Sequence, residues 1–223
     1  MRAELSVVIP TFNAAAVLPA ALASLMEGVE AGLIRELIVT DGGSVDASVF
    51  IAEEVGAIVV AGPASRGGQL RRGAAAAGGA WLLFLHADTI LPEGWSATVQ
   101  AQIARGRPGY FGLRFDRGGG AAWLVAGWAN LRSRLFSLPY GDQGLLISRA
   151  DYDAAGGYAD IPLMEDVAMA RRLGRRLTRM PGFVHTGAER YARDGWLRRG
   201  ARNLSLLICY LCGADPEALK RRY

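Results

Sequence analysis

Through the first ninety residues, short apolar runs alternate with stretches of helical periodicity. Residues 5–9 are apolar but for Ser6 and are closed by Pro10; residues 37–40 end at Asp41-Gly42-Gly43; residues 57–60 follow, and residues 81–85 lead into His86-Ala87-Asp88. Runs of four or five residues bounded by turn signals read as buried strands. Between them, residues 15–30 carry Val17, Leu18, Leu22, Leu25, Met26 and Val29 at helical spacing. Asp46 is placed to cap a helix running to residue 55, and residues 69–77 are alanine-rich. Such alternation predicts an α/β domain whose parallel strands are joined by helical crossovers. Ligands of such sheets bind beyond the carboxyl ends of the strands. The polar clusters fall there: Thr11 and Asn13, Asp41 to Ser44, and His86 to Asp88.

The second half is less regular. A strand is expected over residues 110–115, a turn at Gly118-Gly119-Gly120, and an amphipathic helix over 123–136. A short strand at 144–148 follows Gly141-Asp142-Gln143. A helix over 164–174 carries Glu165 and Asp166 in its first turn, where acids suit the macrodipole. Residues 197–212 read as an amphipathic helix that is basic at its start. With no repeat or linker, residues 1–223 are read as one domain made of three stretches, 1–90, 91–196 and the C-terminal amphipathic helix within 197–223.

Hydrophobic residues make up 51% and charged residues 21%, which excludes wholesale disorder. The net charge is +4, and Lys220 is the only lysine. The arginine excess is either a compositional bias or an affinity for anions: a diphosphate, an acidic acceptor or an anionic membrane surface. Arginine pairs are scattered and accompany no nucleic-acid motif, so no nucleic-acid partner is expected. Cys209 and Cys212 stand alone in an apolar run and are read as buried structural thiols rather than a zinc site. Trp123, Trp128, Tyr140 and Trp196 are expected mainly in the core, with stacking on a sugar as the other reading. No run approaches the ~20 apolar residues of a membrane span, and residues 1–4 lead straight into a strand without a signal peptide. A cytoplasmic protein is expected. The helix over 197–212 either packs with a solvated basic face or makes peripheral contact at the inner membrane face.

Three constellations bear on chemistry. Gly42 and Gly43 let the backbone after Asp41 turn sharply against a ligand, with Asp41 placed to accept hydrogen bonds from a base or ribose. Asp88 emerges from an apolar strand end, where a hard divalent cation would complete its shell with phosphates and water. His86 sits on the same face two residues earlier, as a second ligand or a phosphate donor. In Glu165-Asp166 one carboxylate can serve as a general base while the other orients a neighbour.

Taken in order, these segments resemble family 2 glycosyltransferases: Leu5-Ser6-Val7-Val8-Ile9-Pro10-Thr11-Phe12-Asn13, then Asp41-Gly42-Gly43-Ser44-Val45-Asp46, then Trp81 through Thr89, then Met164-Glu165-Asp166. The resemblance implies the GT-A fold: Rossmann-like α/β, a mostly parallel central sheet flanked by helices, and a C-terminal helical segment. It implies an inverting, metal-assisted transfer of one sugar from a UDP- or GDP-linked donor to an acceptor hydroxyl. Pro10, Thr11, Asn13, Asp41, Gly42, Gly43, Gln69, Arg71, Ala87 and Asp88 would hold the nucleotide sugar, with Arg71 standing where an asparagine is usual. Asp88, with His86, would bind Mg²⁺ or Mn²⁺. Gly141, Asp142 and Gln143 would meet the acceptor, and Asp166, with Glu165, would be catalytic. His86 replaces the first acid of the usual Asp-x-Asp. The Gln-x-x-Arg-Trp of processive synthases is absent, and Ala188-Glu189-Arg190-Tyr191 stands there instead. His86-Ala87-Asp88-Thr89, Tyr140 to Gly144 and Pro162 to Asp166 also resemble a bacterial subgroup of radical-SAM-associated transferases linked to arsenosugar biosynthesis. Acceptor and oligomeric state are left open by these motifs. A sugar nucleotidyltransferase and a non-catalytic nucleotide-binding scaffold are the competing readings. The first would carry a glycine-rich basic loop after its first strand, and the second would have lost Asp88 or Asp166.

Overall fold

The computed structural model describes residues 3–223. Its strands are β1 (Leu5–Thr11), β2 (Ile34–Asp41), β3 (Ile58–Ala61), β4 (Trp81–Phe84), β5 (Thr89–Ile90), β6 (Gly109–Phe115), β7 (Leu145–Ser148) and β8 (Thr178–Thr186). Its helices are α1 (Leu18–Ala23), α2 (Met26–Glu30), α3 (Ser48–Glu54), α4 (Arg66–Ala76), α5 (Trp95–Ala104), α6 (Gly120–Phe136), α7 (Arg149–Ala154), α8 (Glu165–Leu173), α9 (Glu189–Asp194), α10 (Trp196–Leu211) and α11 (Pro216–Lys220). One sheet takes all eight strands in the order β3-β2-β1-β4-β7-β6-β8-β5.

The two-residue period of a strand divides the core between the faces of this sheet. Val8, Leu82, Phe84 and Ile147 belong to one buried cluster, shared with Leu70 of α4, Met169 of α8 and Leu206 of α10. Val7, Ile9, Leu83 and Leu146 belong to the other, with Leu18, Leu22 and Trp95. Helix α4 lies flush on the first face because Gly73 has no side chain: a Cβ there would meet Val8 Cγ1 and come within 3.0 Å of Thr40 Cγ2.

The sheet is mixed, which corrects the expectation of a mostly parallel one. β1 pairs in parallel with β2 and β4, β2 with β3, and β6 with β8. β7 runs antiparallel to both β4 and β6, and β5 antiparallel to β8. Apolar periodicity marks a strand and its buried face but not its direction; the alternation that argues for crossovers stops after β4. The stretch 15–30 is two short helices, broken at Ser24, whose hydroxyl bonds Ala21 O at 2.7 Å. α3 begins at Ser48, and Asp46 accepts from its N–H at 3.0 Å. Cys209 is half-buried and Cys212 exposed, so the pair is not a buried one; the inward face of α10 is filled by Leu206 and Leu207. Trp123 and Trp128 are exposed as well, at 74% and 45%, because α6 turns Ala122, Ala126 and Ala129 inward.

Candidate active site

Two groups of polar side chains form at the carboxyl ends of the first strands. The first ties the loops after β1 and β2 together. Asp41 is buried and accepts from the N–H groups of Gly43 and Ser44, both at 2.8 Å, and from the hydroxyls of Ser44 at 2.5 Å and Thr11 at 3.3 Å. Burial alone would raise this carboxyl, but the Ser44 and Gly43 donors outweigh it and hold it below its ordinary value. Asn13, at a φ of 49°, accepts from Val45 N at 2.9 Å, while its own N–H donates to Ser44 Oγ at 2.8 Å. Gln69 is buried under the loops and donates through Nε2 to Thr11 O and Thr40 O, each at 2.7 Å. It braces β1 against β2 from below. Pro10 and Gly42 lie in the same place, Gly43 is exposed at φ 90°, and Arg71 points out of α4 with no hydrogen bond among the described residues.

The second group lines a cleft of about 120 Å³ that holds His86, Asp88, Asp142, Glu165 and Asp166 with Arg66, Tyr140 and Arg190. Residues 86, 142 and 166 come together because Gly141 has no side chain, since a Cβ there would strike His86 Nε2. The Gly141 N–H donates to Asp166 Oδ2 at 2.7 Å, and the Val167 N–H meets Oδ1 at 2.7 Å. Asp166 is thus aimed by the first turn of α8 and by the 3₁₀ turn Gly141–Gln143. Met164, just before α8, is held at φ 69°, a left-handed conformation that costs a bulky residue about 1–3 kcal/mol and sets the direction of both acids. Gln143 is fully buried: it accepts from Ser133 Oγ at 2.6 Å and donates to Phe111 O at 3.0 Å. It lines no part of the cleft and holds the turn in position.

Burial dominates the electrostatics. It pushes the His86 imidazole well below its ordinary value, with Arg66 and Arg190 adding to the effect, so the ring is neutral at physiological pH. It raises Asp88, against the pull of Arg190 and Arg66. It raises Asp142 to about 7, with Arg132 opposing and Asp166 and Asp88 reinforcing. Glu165 is 1% exposed and pushed up by burial and then by Asp166; Arg66, 3.7 Å away, pulls the other way. Asp142 Oδ1 and both Glu165 oxygens are sealed from solvent with no hydrogen-bond partner. Among the described residues, no three His, Cys, Asp or Glu side chains converge closely enough to hold a metal alone. A hard divalent cation can be held by one or two carboxylates and complete its shell with phosphates and water. Of the cleft's side chains at the end of β4, Asp88 offers the oxygen a hard cation prefers, and His86 a softer nitrogen.

A model of glycosyl transferase family 2 matches residues 6–145. The chain belongs to that family. The match runs from β1 to the start of β7 and takes in the paired loops, His86, Asp88 and Asp142. Among individual relatives of this family 2 chain, the PGL/p-HBAD biosynthesis glycosyltransferase of Mycobacterium tuberculosis is 37% identical over 106 residues, 44% of this chain and 40% of that protein. The same identity and coverage hold for the protein of that name from Mycobacterium bovis. The chain thus spans about two fifths of the length of these curated relatives. In fold it is similar to S. aureus TarS 1–349, with a TM-score of 0.63 at 13% identity over 92% of this chain and 65% of that one. It is also similar to glucosyl-3-phosphoglycerate synthase from Mycobacterium tuberculosis in complex with Mn²⁺ and UDP-glucose, with a TM-score of 0.54 at 24% identity over 82% of this chain and 69% of that one.

Several cleft residues escape the motif reading. Arg66 opens α4, Tyr191 comes from α9, and Arg199, Asn203 and Leu206 come from α10. Arginine richness was their one signal, and nothing in it said that residues 190–206 fold back over Asp88 and Asp166.

Proposed function

We propose that this chain is an inverting, non-processive glycosyltransferase that moves one sugar from a nucleotide diphosphate sugar to an acceptor hydroxyl. The observation that carries this reading is the aimed carboxylate of Asp166, fixed by Gly141 N–H and set in one cleft with Asp88. Asp166 takes the hydroxyl proton as the acceptor oxygen bonds to the anomeric carbon. The bond from that carbon to the diphosphate breaks on the opposite face, and its electron pair leaves with the nucleotide. Thr11, Asn13, Asp41, Gly42 and Gly43 shape the nucleotide seat, Pro10 and Ala87 border it, and Gln69 braces it. Arg71 is a further contact at its edge. Glu165 and Arg66 steady the base, while Gly141 and Asp142 face the acceptor. A Mg²⁺ or Mn²⁺ ion on Asp88 and His86 supplies charge neutralisation at the leaving diphosphate. Residues 1–90 serve the donor, 91–196 the acceptor, and 197–223 cover the cleft.

The test is thermal stabilisation by UDP, GDP and their sugars, with and without Mn²⁺. A ligand at a hundred times its dissociation constant adds about 2.7 kcal/mol. Stabilisation by one nucleotide, enhanced by Mn²⁺ and lost in Asp88→Ala, is expected. A folded protein that responds to none of them would be a scaffold rather than a transferase. A role in arsenosugar biosynthesis is the narrower reading, supported by the motif resemblance alone. It requires transfer to an arsenic-bearing hydroxyl compound, and no product with such an acceptor would remove it. The enzyme is read as cytoplasmic, with peripheral contact at a membrane surface. Among the described residues no helix is long and apolar enough to cross a membrane.

A further inference from the structure

Helices α9 and α10 gather Arg190, Arg193, Arg198, Arg199 and Arg202 around a cavity of about 680 Å³ beside the catalytic cleft. Asp194 is the one carboxylate side chain in its wall, and it is shared: Arg193 Nε approaches at 2.8 Å and Arg199 Nη1 at 2.6 Å. Arg199 is 5% exposed and is fixed further by a bond from Nη2 to Tyr223 Oη at 2.9 Å. Arg202 Nη1 reaches the carbonyl of Tyr223 at 3.3 Å. The side chains of Arg190 and Arg198 make no hydrogen bond or ion pair among the described residues. Surface arginines on a solvated face spread apart and point outward, since like charges repel. Five guanidinium groups face one concavity whose one acidic side chain is Asp194; with Arg193 and Arg199 bonded to that side chain and Arg202 to the Tyr223 main-chain oxygen, the seat keeps an excess of positive charge. Planar guanidinium forks match phosphate and carboxylate oxygens in pairs.

We propose that this cavity receives an anionic group of the acceptor, so that the acceptor is a hydroxyl compound bearing a phosphate or an equivalent anion. The proposal rests on the transferase reading above. Two facts separate this seat from the donor's diphosphate. None of Thr11, Asn13, Asp41 or Asp88 lines the cavity. Yet it shares Arg190, Arg199 and Tyr223 with the cleft that holds Asp166, so an anion seated there lies next to the proposed base. Its volume falls in the range of small-molecule sites and exceeds what a bare phosphate fills.

The phosphate can belong to a soluble metabolite or to a lipid headgroup. Calorimetric titration of the full chain separates them with three probes: sn-glycerol 3-phosphate, dihexanoyl phosphatidylglycerol below its micelle concentration, and glycerol as the neutral control. Each is titrated with and without saturating UDP or GDP with Mn²⁺. At least one phosphate probe binds while the nucleotide is bound, and glycerol does not. Arg198→Gln, an exposed side chain that does not line the cleft, weakens that binding about tenfold and leaves nucleotide affinity unchanged. Binding of glycerol 3-phosphate marks a soluble acceptor; binding of the short-chain lipid alone marks a headgroup. The proposal fails if neither phosphate probe binds, if Arg198→Gln leaves their binding intact, or if the nucleotide displaces them. Displacement would give the seat to the donor's diphosphate. Failure of every nucleotide to bind the wild-type chain would instead break the transferase reading itself.

Discussion

Asp142 keeps a carboxyl that is half protonated near neutrality, because its Oδ1 is sealed off without a donor and burial outweighs Arg132. A carboxyl raised from 3.8 to about 7 binds a proton in the folded state that the unfolded chain has already released. The stability this brings is full below pH ~4 and is lost as the pH rises through about 7. Asp142→Asn keeps the neutral form at every pH. The variant's advantage in Tm over wild type should therefore grow between pH 5 and pH 8 by roughly 5–10 °C, because wild type loses on the order of 2–3 kcal/mol over that interval. Equal melting differences at the two pH values would mean that Asp142 is solvated after all. Asp166, by contrast, has each of its two oxygens bonded by a backbone N–H at 2.7 Å. Asp166→Asn keeps its shape and removes its basicity. Sugar transfer should fall by about 10²–10⁴-fold while nucleotide binding is unchanged. Transfer close to the wild-type rate would assign the base elsewhere.

At the scale of the element, α4 shows how close packing serves the site. It begins Arg66-Gly67-Gly68-Gln69, and a Cβ on Gly67 would collide with the carbonyl of Ala159 and come within 3.1 Å of Ile161 N. The contact joins α4 to the segment that leads into Met164 and the two acids. Gly67→Ala should destabilise the chain by about 1–3 kcal/mol through overpacking, although alanine is the better helix former. Gly127 on α6 meets nothing within 4 Å, so Gly127→Ala should instead stabilise by about 1 kcal/mol. Urea midpoints that moved the same way in both variants would discredit the packing argument. The same scale shows what the sequence made legible. β1, β2 and β4 announce themselves by short apolar runs ending in Thr11, Asp41 and His86-Ala87-Asp88, and the two polar groups form where the strand-end rule puts them. β8 was not legible because Pro181-Gly182 interrupts it. There the register with β6 slips, Tyr110 pairing with Arg179 and Gly112 with Phe183. Gln143 reads as an acceptor contact from its motif, but the motif carries no sign that Ser133 and Phe111 close over it. The arginines of α9 and α10 were visible as charge; their convergence depends on a chain reversal that no local pattern encodes.

For the whole molecule, the open question is what covers α6. Leu124, Trp128, Leu131 and Leu135 follow one helical stripe and are 57%, 45%, 46% and 63% exposed, with Trp123 at 74% and Phe136 at 62% beside them. Monomeric proteins rarely leave so many large apolar groups contiguous in water. The helix packed against this one is α10, whose first turns carry Arg198 and Arg202, and the chain has a net charge of +4. Apolar side chains with tryptophans, bordered by arginine, complement an anionic bilayer surface better than an acidic protein groove. The chain should therefore co-sediment with phosphatidylcholine vesicles that contain phosphatidylglycerol, and more weakly with vesicles that lack it. Leu124→Ser with Leu131→Ser should weaken that binding by about tenfold or more without lowering Tm, because neither side chain supports the core. Light scattering gives the competing answer. If the wild-type chain dimerises, the double variant is monomeric and neither binds vesicles, the stripe is a contact between two copies, and the acceptor would have to reach the cleft from water rather than from a membrane.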